Sequence, residues 1–442
     1  MSAHSHQLTL DDLPPTGEHL DVSKFSKLTF VLLSLGVLGL LGSLVYLLGF
    51  AGPDKQKEFA YSWLFAFFFF FTITNGGIFW TMLQHISNSG WSVAVRRLFE
   101  NLGANVIWMF FFALPLLSPT LKQPLWEWYN EYVDASANSA GTMAGLEERV
   151  KVNPEVHALI EKYGYMNLGF WHGRFFAYFL FLGGLIFLLR RWSIKQDKDG
   201  DFKHTFRMRA LCAFPLLLYA MAVTFSAVDW VMSLDYTWFS TMWGVYIFAG
   251  GAWSAMALSF INLTTLRSHG YLKNTVTMQH YHIMGQLLFA FTVFWAYIGF
   301  DQFFLIWYAN ITEETRFFHL RNCEGWWYLS NILVWGHFVL TFVLLLSAAR
   351  KKRPETMNFV CLWILLMHLT DIYWLIIPER GPSLSKGVHL WLPGAWVGDI
   401  VAFIGIGGIV GWGFIHRMAK ASLYPCRDPR LLESVTVSNI VN

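Results

Sequence analysis

An all-α integral membrane protein of ten transmembrane helices is the fold that this sequence predicts, and three observations predict it. The first is composition: 55% of the 442 residues are hydrophobic and 14% are charged, where a soluble domain carries roughly 25% charged residues. The second is the aromatic load of 41 Phe and 22 Trp, which suits a chain facing hydrocarbon and its interfaces. The third is pattern: ten apolar runs, each long enough to span a bilayer, alternate with polar connections. A net charge of +3 is too small to favour nucleic acid as a partner.

The chain opens on a polar tail, residues 1–26, with Asp11, Asp12, Glu18 and Asp21. A secretory signal opens instead on a basic segment and a short apolar core, so no cleavable leader is expected. The first apolar run, about 28–51, reads as a retained helix, since a span needs ~20 residues. The others follow at roughly 60–86, 98–117, 170–190, 208–233, 239–266, 281–308, 326–349, 357–378 and 394–416. Pro115, Pro378 and the stretch "PGAW" (393–396) punctuate helix ends. The membrane domain thus covers 27–417, and a second polar tail covers 418–442.

Lys and Arg set the orientation, because cytoplasmic connections carry their excess. With both termini in the cytoplasm, 21 of the 32 Lys and Arg fall on that side, among them "RKKR" at 350–353. The opposite connection "VMSLDYTW" (231–238) has none. The expected topology is N-in and C-in. One outer connection, 118–168, is long and polar, and its stretch 145–164, "GLEERVKVNPEVHALIEKYG", reads as a short amphipathic helix. Loops of this length are commonly functional or dock a partner.

Ionisable residues inside the apolar runs are functional candidates, because each is costly in hydrocarbon. Toward the outer side lie His172, Arg174, Asp229, Asp301, Asp371 and Asp399, with His368 nearer mid-membrane. Toward the inner side lie His85, Glu100, His280 and His282, with His337 near the middle. A plainer role stands beside each. The histidines near an interface would be solvated, Glu100 would open a wetted helix, Arg174 would pair with an Asp, and Asp229 and Asp399 would bond helix ends. His368 and Asp371, in "LLMHLTDIYWLIIP" (365–378), share one helix face. They are the hardest to dismiss. Carboxylate and imidazole together suit two tasks: hydrogen bonding a quinol headgroup, or relaying protons across the bundle.

The four cysteines form no C-x-x-C or C-x-x-C-H motif, so neither an iron–sulfur cluster nor a c-type haem is expected on this chain. No catalytic or metal-ligating residue is assigned. Two other readings remain open. Haem b could sit between His85, His282, His337 or His368 on facing helices. A secondary transporter could use helix breaks at "TNGGIF" (74–79) and "IGIGGIVGWG" (404–413).

Six stretches occur in order: "TNGGIFWTMLQHISNSGWSVAVRRLFENL" (74–102), "YGYMNLGFWHGRFFAYF" (163–179), "RRWSIKQDKDGD" (190–201), "AVDWVMSLDYTWFSTMWGVYIFAGG" (227–251), "FTVFWAYIGFDQFFLIWYANITEET" (291–315) and "HLTDIYWLIIP" (368–378). This series resembles the F-subunit family of bacterial alternative complex III, a quinol:electron acceptor oxidoreductase. That family is similar to the NrfD/polysulfide-reductase type of membrane subunit. The likeness covers about 60–415. It implies two four-helix bundles, spans two to five and six to nine, flanked by two further helices. It implies a bacterial cytoplasmic-membrane complex that oxidises menaquinol. The c-type haems and iron–sulfur clusters would lie on partner subunits, beside a homologous ten-helix subunit. This chain would hold no redox centre of its own; menaquinol is the candidate ligand, and a proton-conducting route is the implied task. Arg174, Asp229, Asp301, His368 and Asp371 lie in matching motifs.

Overall fold

A computed structural model describes residues 13–49, 53–134, 141–323, 325–381 and 395–437. Ten helices in it are long and apolar enough to cross a membrane: α1 (Val22–Val45), α2 (Lys55–Ile86), α3 (Val93–Leu117), α4 (Leu168–Asp199), α5 (Pro215–Leu234), α6 (Trp243–Ser268), α7 (Met278–Ala309), α8 (Trp327–Leu346), α9 (Pro354–Arg380) and α10 (Trp396–Met418). No strand occurs among the described residues. Hydrocarbon offers no partner to backbone N–H and C=O groups, so the helix, which pairs them internally, is the economical solution. The protein is an all-α, multi-pass membrane protein.

Helices α2 to α5 pack in a ring, and α6 to α9 in a second. The rings meet where α2 and α5 lie against α6, and α1 and α10 pack together on the outside of α2. Helix α2 is the hub: 89% of its apolar window is buried, against 22% in α1 and in α8. A helix apolar all round belongs in such a central place.

Several boundaries differ from those the apolar runs predict. Helix α4 continues through the charged stretch to Asp199 and ends on Gly200, which caps it in the left-handed region at φ 67°. A separate helix, Lys203–Ala213, then leads into α5, with Pro215 opening the new helix. Hydropathy measures burial in lipid, whereas Arg, Lys and Gln continue a helix as readily as Leu does. The two glycine-rich stretches offered as helix breaks are continuous helix. A Cβ on Gly76 would lie 2.2 Å from the Gly251 carbonyl oxygen, and one on Gly408 would lie 2.5 Å from the Gly36 nitrogen. These glycines let helices approach closely, as small residues do inside membranes.

The long connection after α3 is folded. Short helices at Pro119–Leu125, Glu127–Val133, Met143–Val150, His157–Glu161 and Tyr163–Met166 replace the single helix expected at 145–164. Trp126 and Trp128 are buried against Trp171, and Lys162 Nζ donates to the Tyr236 carbonyl at 2.7 Å. On the opposite face the two tails clasp each other. The Leu423 N–H donates to the Glu18 carbonyl at 2.8 Å, and the Leu272 N–H donates to the Glu18 carboxylate at 2.6 Å. Residues 1–12 and 438–442 of the tails, and Pro393 and Gly394 of "PGAW", lie outside the described residues.

Candidate functional site

One face of α9 carries His368 and Asp371, both 1% exposed. Tyr246 from α6 donates its hydroxyl to Asp371 Oδ1 at 2.5 Å, and the Trp295 indole from α7 donates to Oδ2 at 3.1 Å. Both donors are neutral. Among the described residues Asp371 makes no salt bridge, unlike the other buried carboxylates of the bundle.

His368 is tied to α2. Its Nε2 lies 2.9 Å from Thr72 Oγ1, while the Thr72 hydroxyl donates to the Phe69 carbonyl at 2.8 Å. With that proton given away, Thr72 accepts from Nε2–H, and the lone pair of neutral His368 sits on Nδ1. Nδ1 has no protein partner. It faces Gly250: a Cβ placed there would lie 3.1 Å from Nδ1 and 3.8 Å from Asp371 Oδ2. The free acceptor of the imidazole and the carboxylate thus converge on one point that only glycine leaves open.

His337 completes the group from α8. It lies in a π-helical segment, Leu333–Leu340, a form often found at functional sites. Within it the Gly336 carbonyl accepts from Thr341 Oγ1 and from the Trp363 indole, each at 3.0 Å. The His337 ring is fully buried, 3.5 Å from the Trp295 ring centroid and 4.5 Å from that of Trp253. Neither of its nitrogens has a protein partner. Trp295 therefore touches His337 with its face and Asp371 with its N–H. A cavity of about 10 Å³ adjoins Thr72. That is near the size of one water and far below the roughly 300 Å³ at which small-molecule pockets begin.

The remaining candidates fall into separate clusters. Arg174 binds Asp229 bidentately at 2.8 and 2.7 Å, Tyr178 adds its hydroxyl at 2.6 Å, and the guanidinium stacks 3.8 Å over Tyr165. His172 Nδ1 bonds the Leu168 carbonyl, and Nε2 faces Lys122. Asp399 is held by Arg380 at 2.9 Å and by Ser62 at 2.5 Å, which ties α10 to α9 and α2. Glu100 sits in an ion network with Arg96, Arg97 and Ser193. Asp301 is half-buried on α7 with no partner among the described residues, while its neighbour Gln302 turns inward to Ser240. On the tail side His280 is taken up by Thr277 and by Ser434 of the C-terminal segment. His85 and His282 are buried. Among the described residues no three His, Cys, Asp or Glu side chains group as metal ligands.

Reading for charge missed Thr72, Tyr246, Gly250, Trp253 and Trp295, because uncharged donors in an aromatic-rich chain carry no contrast. A scan of the chain against protein-family models returns no match, and neither does a search of curated proteins.

Proposed function

We propose that this chain is a membrane subunit of a menaquinol-oxidising respiratory complex of the alternative complex III type, where it docks redox subunits and carries a proton route. The six ordered motifs support the family, and one observation supports the route. Asp371 is a fully buried carboxylate whose charge no cation fixes. An unpaired charge in that position is costly, so the group is placed to take and give a proton rather than to hold the fold together. His368 Nδ1 is the next acceptor, across the point that Gly250 leaves open. Asp229 and Asp399, each locked to an arginine, serve as structural ties. Quinol oxidation, the iron–sulfur clusters and the c-type haems belong to the partner subunits. The complex sits in a bacterial cytoplasmic membrane with both termini of this chain inside.

The test is made on the intact complex. Mild-detergent purification is expected to bring a multihaem cytochrome, an iron–sulfur subunit and a second ten-helix protein, identified by mass spectrometry. Asp371→Asn keeps the shape, turns its amide oxygen to the donor-only Trp295 indole and its NH2 to the Tyr246 oxygen, which can accept, and removes the titration. Assembly is expected to persist while proton translocation in vesicles falls by about 10²-fold, the low end for a positioned proton-transfer group. Unchanged assembly, quinol oxidation and translocation would remove Asp371 from the route.

A further inference from the structure

The outward face of α3 and α4 carries a groove of about 1240 Å³, well away from Asp371. Its walls are Ile107, Phe110, Phe176 and Phe187, and its floor includes Gly183 and Gly184. Beside these glycines the space is open: nothing lies within 4 Å of a Cβ on Gly184, and only Val106, at 3.9 Å, approaches one on Gly183. The volume exceeds the roughly 300–1,000 Å³ of ordinary small-ligand pockets. It also lies along a helix, so it fits a long chain better than a compact molecule.

The tail-side end of this groove is cationic. Arg190 and Arg417 are half-buried there, with Arg191, Lys195 and Lys198 around them. The two inner arginines are held in place by neutral oxygens. Arg190 Nε donates to Asn101 Oδ1 at 3.1 Å and its NH2 to the Arg417 carbonyl at 3.1 Å; Arg417 donates to Asn105 Oδ1 at 2.7 Å. Neither makes a salt bridge among the described residues. The nearby acids are engaged elsewhere: Asp197 binds Arg97, and Asp199 binds His204. Two guanidiniums thus sit side by side with no carboxylate bonded to them, at the mouth of an apolar trough. Snorkelling side chains would swing free into water, whereas these are fixed by the asparagines.

We infer that this groove is a built site for an anionic phospholipid. Its phosphate sits against Arg190 and Arg417, and an acyl chain lies along α4 over Gly183 and Gly184. Basic pockets between transmembrane helices take headgroups in this way. From Arg190 back to Gly173 the helix rises about 25 Å at 1.5 Å per residue, enough for an acyl chain.

The experiment uses the full chain in its native assembly, purified in mild detergent. Retained lipid is extracted and quantified by mass spectrometry, and thermal stability is then followed in nanodiscs of phosphatidylcholine with and without phosphatidylglycerol. Wild type is expected to retain anionic lipid in fixed ratio to the chain and to melt higher with phosphatidylglycerol. The double variant Arg190→Gln, Arg417→Gln is expected to lose that retention several-fold. Because those arginines also bond Asn101 and Asn105, Gly184→Leu is the second variant: it fills the trough where space is open and leaves the guanidiniums intact. It is expected to lose the lipid equally while melting as wild type does in phosphatidylcholine alone. Retention unchanged in both variants, a neutral quinol recovered in place of lipid, or equal stabilisation by inorganic phosphate would each overturn the assignment.

Discussion

A carboxylate inside a membrane bundle is defined by what it faces. Arg174 and Arg380 each hold an aspartate through two hydrogen bonds, and such pairs tie helices together at a desolvation cost. Asp371 faces a phenol and an indole instead, so no cation holds its charge. Only part of this was legible beforehand. His368 and Asp371 stood out because the i, i+3 spacing of two ionisable groups in an apolar run is rare. Arg174 was legible too, with an Asp as its plainer partner; Arg380 was not, because it follows Pro378 and reads as outside the span. At the loop side, Lys122 is a buried amine bonded to His172, and burial pushes it down to about 8 from its ordinary 10.5. Below pH 8 both folded and unfolded chains carry the charge, so the cost of burying it is fully present. Between about 8 and 10.5 the folded chain has shed a proton that the unfolded chain keeps, so stability rises with pH through that window. The melting temperature of wild type relative to Lys122→Met is therefore expected to climb as pH passes 8. A flat difference would show that Lys122 is solvated.

At the scale of helices, close approach and local winding do the positioning. The π-helical turn in α8 sets His337 against Trp295, and no sequence period announces such a turn. The glycine-rich stretches of α2 and α10 were visible as a pattern but open in meaning, since glycine both breaks helices and lets them touch; the glycines of α1 that meet α10 went unread. Contact is the outcome here. Gly408→Val would drive a side chain into the backbone of α1, where Leu32 O and Gly36 N already lie 2.5 Å from the Cβ position. A loss of about 1–3 kcal/mol, the usual cost of overpacking, is expected in thermal or denaturant unfolding of the purified protein. Gly411→Ala meets only the Leu32 side chain, at 3.4 Å, and should stay within ~0.5 kcal/mol of wild type. Equal losses from both would mean that the α1–α10 seam does not depend on glycine contact.

The ten-span architecture as a whole was readable, because lipid forces a helix wherever an apolar run is long enough. The folded loop and the clasped tails were not, since polar segments gain their shape from contacts with distant residues such as Trp171, Tyr236 and Leu272. The N-in, C-in topology expected from the Lys and Arg bias has a direct check. With Cys323 and Cys426 first replaced by Ser, a cysteine placed by Lys151→Cys in the long loop should react with a membrane-impermeant maleimide in intact cells, and one placed by Lys420→Cys only after lysis. The reverse pattern would invert the topology. The seam between α1 and α10 carries a further consequence, for biosynthesis. Helix α1 leaves the ribosome before the other nine, yet its main contact is the last of them. At roughly 5–20 residues per second the glycine face of α1 waits in lipid for tens of seconds before its mate arrives. During that interval the helix that covers this face in the finished protein has not been made. A chain stalled before α10 would display it, and a membrane protease could use it to tell an unfinished protein from a finished one.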